Sequence, residues 1–304
     1  MKMNKNSEVC VDIILATHNG GKYIKEQIIS ILNQTHTNLR LIISDDGSVD
    51  ETISIVNCFI AEDKRVSLVF DNEKKGIISN FNNGLKYVSS SYIMFCDQDD
   101  VWKSEKIEYS LDFILKEEKN VKGESLPCLI FSDLSIVDQE LNNISSSFYK
   151  YNSLDPLNNL DIRYLRWRSS VYGCTVIFNR ILLEKSGFVP IGFSMHDHWY
   201  AYHAAKYGKI CYTDKSHILY RQHNNNAVGA HGRDLFSRVK RFRKTINGIK
   251  FSVNATRLLM KNECGKNEIS KIEKFRFAIN NIFPFFSQRK VYSFIFFILW
   301  IVYE

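Results

Sequence analysis

Between residues 9 and 100, short apolar runs alternate with amphipathic stretches. Residues 11–16, 39–44, 66–70 and 92–96 are runs of strand length, rich in Val, Ile, Leu and Phe. Residues 23–34, 50–62 and 77–89 instead place their apolar side chains at helical intervals. This alternation predicts an α/β fold, a parallel sheet with helices on both faces, in which ligands bind at the carboxyl ends of the strands. Past residue 100 the spacing predicts a helix over 104–119, a strand over 128–131 and a polar loop over 138–160 that covers the site. A strand over 173–178 follows, then a short helix ending near Gly187, a helix over 196–207, and two short strands over 209–213 and 217–221. From about residue 232 the pattern is helical and free of strand signals. The chain therefore divides into an α/β domain over 1–231 and a helical extension over 232–304.

The strand exits carry the candidate chemistry. The first leads into Thr17-His-Asn-Gly-Gly21, the second into Asp45-Asp-Gly-Ser48, and the fourth into Asp97-Gln-Asp-Asp100. Polar residues at one exit are ordinary loop chemistry, but at three neighbouring strand ends they suggest one site. Asp97 and Asp99 alternate, so continued strand geometry points them the same way. Carboxylate oxygens on one side suit Mg²⁺ or Mn²⁺, which keep open positions for phosphates. The simpler alternative is an acidic turn opening the next helix, with Asp100 near its N-terminus. Asp46-Gly-Ser48 can equally be a tight turn capping the helix after it.

The length of 304 residues allows a large core, and 45% apolar with 24% charged residues is ordinary for a globular protein. Charge is uneven. Residues 233–290 hold 15 Lys/Arg and 4 Asp/Glu, so the formal charge of +7 belongs to the extension rather than to the aspartates. The seven cysteines are scattered without a Cys-x-x-Cys pair, and the polar start lacks an apolar leader, which together suggest a reducing cytoplasmic setting. Residues 291–303 are almost wholly apolar, yet shorter than the roughly 20 needed to span a bilayer. With Arg289 and Lys290 upstream, they fit a peripheral anchor at the inner face of the cell membrane; packing inside the protein is the alternative.

The order of motifs Ala16-Thr-His-Asn-Gly20, Ser30-Ile-Leu-Asn-Gln-Thr35, Ile43-Ser-Asp-Asp-Gly-Ser48, Asp97-Gln-Asp-Asp100, His196-Asp197 and Tyr220-Arg-Gln-His223 resembles the family 2 glycosyltransferases of GT-A fold, in particular the bacterial rhamnosyltransferase-like branch. The likeness covers about residues 9–230. It implies a Rossmann-like mixed sheet flanked by helices, and transfer of a sugar from a nucleotide-diphosphate donor to a glycan or lipid-linked acceptor. Cell-surface polysaccharide synthesis, of capsule or O-antigen, is the expected setting. By that resemblance Thr17, Asn19, Asp45, Asp46, Lys75, Asn80, Asp97 and Arg221 border the donor nucleotide, without a choice between Asp45 and Asp46 for the base. Asp99, Asp97 and His223 would hold Mg²⁺ or Mn²⁺ against the diphosphate. Asp197 is the expected catalytic base, with His196 or His198 tuning it. Trp102, Trp199 and His196 are candidates for an acceptor platform, although aromatics in such places are more often core.

Two other readings compete. A sugar-1-phosphate nucleotidyltransferase would need a Gly-rich, Arg-containing loop after the first strand, and Thr17-His-Asn-Gly-Gly-Lys22 has no Arg. A non-catalytic nucleotide-sugar-binding scaffold conflicts with the intact carboxylate set. No nucleic acid is expected as partner, and the motifs do not select the sugar.

Overall fold

The computed structural model describes residues 8–70, 76–119, 125–223, 235–265 and 268–302, with the backbone alone over 235–244 and at Cys264. Lys75, expected beside the donor, lies outside them. Strands β1 (Val11–Thr17), β2 (Leu39–Asp45), β3 (Val66–Phe70) and β4 (Tyr92–Asp97) alternate with helices α1 (Ile24–Leu32), α2 (Thr52–Glu62) and α3 (Ile77–Leu85). The short strand β5 (Val101–Trp102) leads into α4 (Lys106–Lys119), and β6 (Cys128–Val137) into β7 (Asn143–Ser145). Short helices α5 (Phe148–Tyr151) and α6 (Ile162–Leu165) precede β8 (Ile177–Asn179), α7 (Arg180–Ser186), α8 (His196–Tyr207) and β9 (Lys209–Arg221). Helices α9 (Leu235–Cys264), α10 (Lys271–Phe277) and α11 (Lys290–Val302) complete the chain.

Among the described residues the strands form one sheet, ordered β3-β2-β1-β4-β8-β6-β9-β5, with β7 on β6. Strands β1 to β4 pair in parallel, whereas β8 runs antiparallel between β4 and β6. The sheet is mixed, as the resemblance implied. Alternation along the inner strands supplies both faces. Val11, Ile13 and Leu15 of β1 pack with Met94 of β4 against α1 and α4, while Ile14, Ile93 and Phe95 point the other way, into α3 and α8. A third core joins Tyr164 and Trp167 to Ile249, Val253, Phe277, Phe296 and Trp300, so the C-terminal helices are packed onto the α/β part.

Three expectations change. Residues 138–160 are not simply loop: Ser147 and Asp155 accept backbone N–H bonds and cap α5 and a 3₁₀ turn, so cap residues were read as loop residues. The strand expected over 173–178 starts only at Ile177, because Gly173–Thr175 form a 3₁₀ turn in which Thr175 N–H donates to Tyr172 O. The two strands expected over 209–221 are one 13-residue strand, bent by register shifts against β6 near Asp133.

Helical structure runs through Lys271–Val302, 32 residues long and apolar enough to cross a membrane by length and composition alone. Only 22% of its most apolar window is buried, unlike the helix of a protein core. Ser293, Phe296 and Trp300 face inward, while Ile272, Phe275, Val291, Phe294, Ile298 and Val302 are exposed.

One buried carboxylate anchors the amino end of the sheet. Asp12 on β1 is fully buried, accepts bonds from Arg40 Nε and Nη2 (2.7 and 2.8 Å), and takes the N–H groups of Ser89 and Ser90 ahead of β4. Burial pushes its carboxyl up, but these donors outweigh burial and hold it below the usual range. Its contribution is therefore present at neutral pH and lost as acid protonates it. Asp12→Asn should cost about 2–4 kcal/mol in urea unfolding at pH 7, with a smaller difference from wild type near pH 3.

Candidate active site

The exits of β1, β2 and β4 converge on a cavity of about 780 Å³, lined in part by Thr17, Asp46, Asn80, Asp97, Asp99, Asp197 and His196. Its donor side is built from turns. Asp45 is 2% exposed, and its Oδ1 accepts from the N–H groups of Gly47 and Ser48, so it shapes the turn and is not among the lining residues. Asp46 lines the cavity and accepts from Gly76 N–H (2.8 Å). The structure thus separates a pair that the sequence left equivalent. Asn19 is displaced from its expected place: with φ +50°, it takes Val49 N–H on its Oδ1 and gives its own N–H to Ser48 Oγ. It braces two loops outside the cavity lining. Asn80 is buried at the cavity wall and donates to Thr17 O (3.0 Å).

Gln98 was missed. Its Oε1 accepts from Thr17 Oγ1 (2.7 Å) and His18 N–H (2.9 Å), locking the β1 exit to the β4 exit. The signal was its place between Asp97 and Asp99, where strand alternation turns it toward the neighbouring loop.

The carboxylates differ sharply. Asp97 lines the cavity, and burial followed by the charges of Asp99 and Asp197 pushes its pKa up to about 7. Asp99 Oδ2 lies 2.8 Å from His223 Nε2, bringing together two of the expected metal ligands. Asp100 is 1% exposed and does not line the cavity. It does not cap a helix either, since β5 follows it; instead its Oδ1 accepts from Arg221 N–H (3.3 Å). Beneath it Lys106 is 2% exposed, with Nζ 3.5 Å from the centroid of Trp102, and burial lowers its pKa to about 8. Donor atoms of Asp97, Asp100 and Cys174 lie within 4.8 Å of one another. Burial pushes the Cys174 thiol well up, so it stays protonated and does not suit a hard cation. Asp97 and Asp99, by contrast, supply carboxylate oxygen beside open space, with the His223 imidazole against Asp99, and mutually repelling carboxylates are the condition a divalent cation relieves.

Arg221 does not take its expected place against phosphate. It is 2% exposed and outside the cavity lining, with Nε donating to Asp99 O (3.0 Å), Nη1 bonded to Gln139 O, and Nη2 paired with Glu26. Its guanidinium also lies over Tyr23, which stacks on His223. The fork of donors is spent on protein groups, the backbone of Asp99 among them.

Asp197 sits in the first turn of α8 at the cavity wall. Its Oδ2 accepts from Gly173 N–H (3.1 Å) and its Oδ1 from His198 N–H (2.6 Å). Burial pushes its pKa up to about 7, more than those two amides lower it. His198 Nε2 faces Leu165 O, which can only accept, so Nδ1 receives the hydroxyl hydrogen of Ser194. His196 is held between Phe81 (ring centroids 3.8 Å apart) and Phe95, its ring nitrogens lack hydrogen-bond partners among the described residues, and burial lowers its pKa to about 3. It is a neutral wall.

Trp102 and Trp199 are 3% and 5% exposed, lie in the two cores and do not line the cavity, so they make no acceptor platform. The cavity has a further wall that the sequence did not reveal: Arg168, Ser169 and Tyr172, with Phe251 and Ser252 of α9 and Tyr292 of α11.

The Glycosyl transferase family 2 model matches residues 12–168, just over half of the chain. The chain belongs to this family. It is 29% identical over 273 residues to the dTDP-rhamnosyl transferase RfbG of Shigella flexneri, covering 85% of this chain and 83% of the relative. Identity is 32% over 184 residues with the Escherichia coli UDP-Glc:alpha-D-GlcNAc-diphosphoundecaprenol beta-1,3-glucosyltransferase WfgD, covering 59% and 63%. Matches to uncharacterized glycosyltransferases of Haemophilus influenzae and Rickettsia typhi span 42% and 55% of those relatives. Among solved structures, S. aureus TarS 1-349 superposes with TM-score 0.60 at 16% identity, covering 94% of this chain and 74% of that one. The mannosyltransferase PcManGT from Pyrobaculum calidifontis, in complex with GDP-Man and Mn²⁺, gives 0.55 at 14%, covering 96% and 87%. These similarities establish the GT-A fold.

The family 2 match takes in the exits of β1, β2 and β4 but stops before Asp197, which the fold brings to the same cavity, and before His223, which the fold brings against Asp99. Gly173 is a tight point beside the base. A Cβ there would lie 2.3 Å from His196 Nε2, beside the amide that holds Asp197. Gly173→Ala should therefore lower stability by about 1–3 kcal/mol in thermal unfolding. It should also reduce turnover more than donor affinity, compared by initial rates and calorimetry.

Proposed function

We propose that the protein is an inverting glycosyltransferase that moves a sugar from a nucleotide-diphosphate donor to an acceptor hydroxyl during cell-surface polysaccharide synthesis. The observation that carries this reading is the opening of Asp46, Asp97, Asp99 and Asp197 onto one cavity. Asp46 and Thr17 border the nucleoside, with Asp46 rather than Asp45 accepting from the base. Asp97 lies toward the ribose and diphosphate. Asp97, Asp99 and His223 hold Mg²⁺ or Mn²⁺, which supplies Lewis-acid stabilisation of the departing diphosphate. Asp197 accepts the proton of the acceptor hydroxyl; the freed oxygen pair forms the new bond to the anomeric carbon, and the bond to the diphosphate breaks with its electrons leaving on phosphate oxygen. His196 excludes water from one side of the base, and the His198 backbone N–H holds its carboxylate.

The relationship to RfbG and WfgD supports a nucleotide-sugar donor and a glycan acceptor carried on lipid, as the WfgD name states for that enzyme. The exposed apolar side chains of Ile272, Phe275, Val291, Phe294 and Ile298, flanked by Lys271, Arg276, Arg289 and Lys290, favour peripheral contact with the cytoplasmic membrane face. The division at residues 231 and 232 follows the same logic, placing donor chemistry before it and membrane contact after it.

Asp197→Asn should lower turnover by about 10²–10⁴-fold while donor affinity, measured by calorimetry, is kept. Asp99→Asn should remove most of the Mn²⁺-dependent rate. Wild-type turnover in Asp197→Asn would refute the base. Because burial pushes Asp197 to about 7, kcat/KM should fall on the acid side of neutrality, as the base becomes protonated. A rate flat from pH 5 to pH 8 would contradict that role.

A further inference from the structure

The cavity lining carries charge of both signs. Three of its four lining carboxylates stand at strand exits and the fourth, Asp197, in the first turn of α8, and Arg168 is the only Lys or Arg among the described lining residues. Arg168 makes no ion pair with an acidic side chain among the described residues. Its guanidinium lies 4.4 Å from the ring centroid of Tyr292 and 6.0 Å from that of Tyr164. Stacking on Tyr292 holds the planar cation in place while leaving its donor edge available. Tyr292 is itself held: it packs on Trp167 and Phe296, and its hydroxyl reaches Ser252 Oγ (3.4 Å). On the same helix, Val291, Phe294, Ile298 and Val302 are exposed. Helix α11 thus joins a fixed positive charge in the cavity wall to an apolar outer ridge.

We propose that Arg168, seated on Tyr292, binds the phosphate or diphosphate of an amphiphilic acceptor whose hydrocarbon chain leaves along the α11 ridge. A cation beside an apolar ridge complements an anionic head on an apolar tail, and neither half alone uses both features. The donor diphosphate has its own place at the carboxylates, where a divalent cation compensates it. Arg168 therefore selects acceptors that carry a charged lipid link over free neutral glycans. The assignment rests on the transferase reading for the word acceptor, but the binding site stands on its own geometry.

The test is calorimetric binding of farnesyl diphosphate, inorganic diphosphate and farnesol to the full chain, below micelle concentration and with EDTA present. Chelation leaves the carboxylates repulsive to phosphates, so binding there is suppressed. Farnesyl diphosphate should bind at least about tenfold more tightly than either fragment, and Arg168→Gln should weaken it by about 10–100-fold. Arg168→Lys should retain more affinity than Arg168→Gln, with both variants checked for wild-type unfolding temperature. Equal affinity in folded Arg168→Gln would overturn the proposal. So would inorganic diphosphate binding as tightly as farnesyl diphosphate, because the site would then read phosphate without a lipid. Donor turnover with Mn²⁺, assayed separately on the wild type, tests the transferase reading and does not depend on this result.

Discussion

Like charges cannot be packed at the end of a buried strand without something holding them there, and this governs the architecture around β4. Asp97, Asp99 and Asp100 leave the strand together, and Asp197 approaches from α8. Burial and mutual repulsion push Asp97 to about 7 and Asp100 well above the ordinary range. The surroundings respond on every side. Lys106 is buried beneath Asp100, Arg221 fixes the Asp99 backbone through its Nε, and His223 meets the Asp99 carboxylate. Repulsion kept in a cavity wall works against stability, which is the mark of a functional site.

The same constraint reassigns Arg221. Near a phosphate site an arginine reads naturally as a phosphate ligand, but its three donor arms are committed to Asp99 O, Gln139 O and Glu26. It is a positioning residue, fixing the backbone of Asp99. Among the described residues lining the cavity, the one Lys or Arg is Arg168, from a stretch with no motif at all.

Much of the fold was legible in the sequence because buried parallel strands are written as unbroken apolar runs. Strands β1 to β4 and helix α8 appear where those runs and helical spacings put them, within about two residues. The grouping of Asp46, Asp97, Asp99 and Asp197 was legible too, through motif order. What escaped depends on direction and not on composition. Asp45 and Asp46 are chemically identical, and only the turn decides that one is consumed by backbone N–H groups. Trp102 and Trp199 have the right chemistry for a sugar platform but face the core. Gln98 and Asn19 act between loops far apart in sequence. The wall from α9 and α11 arises only because Trp167 gives those helices a place to pack, a pairing that no local pattern announces.

The central claim is that the strand-exit carboxylates and Asp197 form one donor-and-base site. It is tested most directly by anomalous diffraction from crystals soaked with Mn²⁺ and UDP, dTDP or GDP, whichever raises the unfolding temperature most. A manganese peak against Asp99 and Asp97, with the diphosphate on it, the base beside Asp46 and Asp197 facing the open end of the cavity, is the predicted result. Manganese bound elsewhere, or a nucleotide lying outside this cavity, would contradict it.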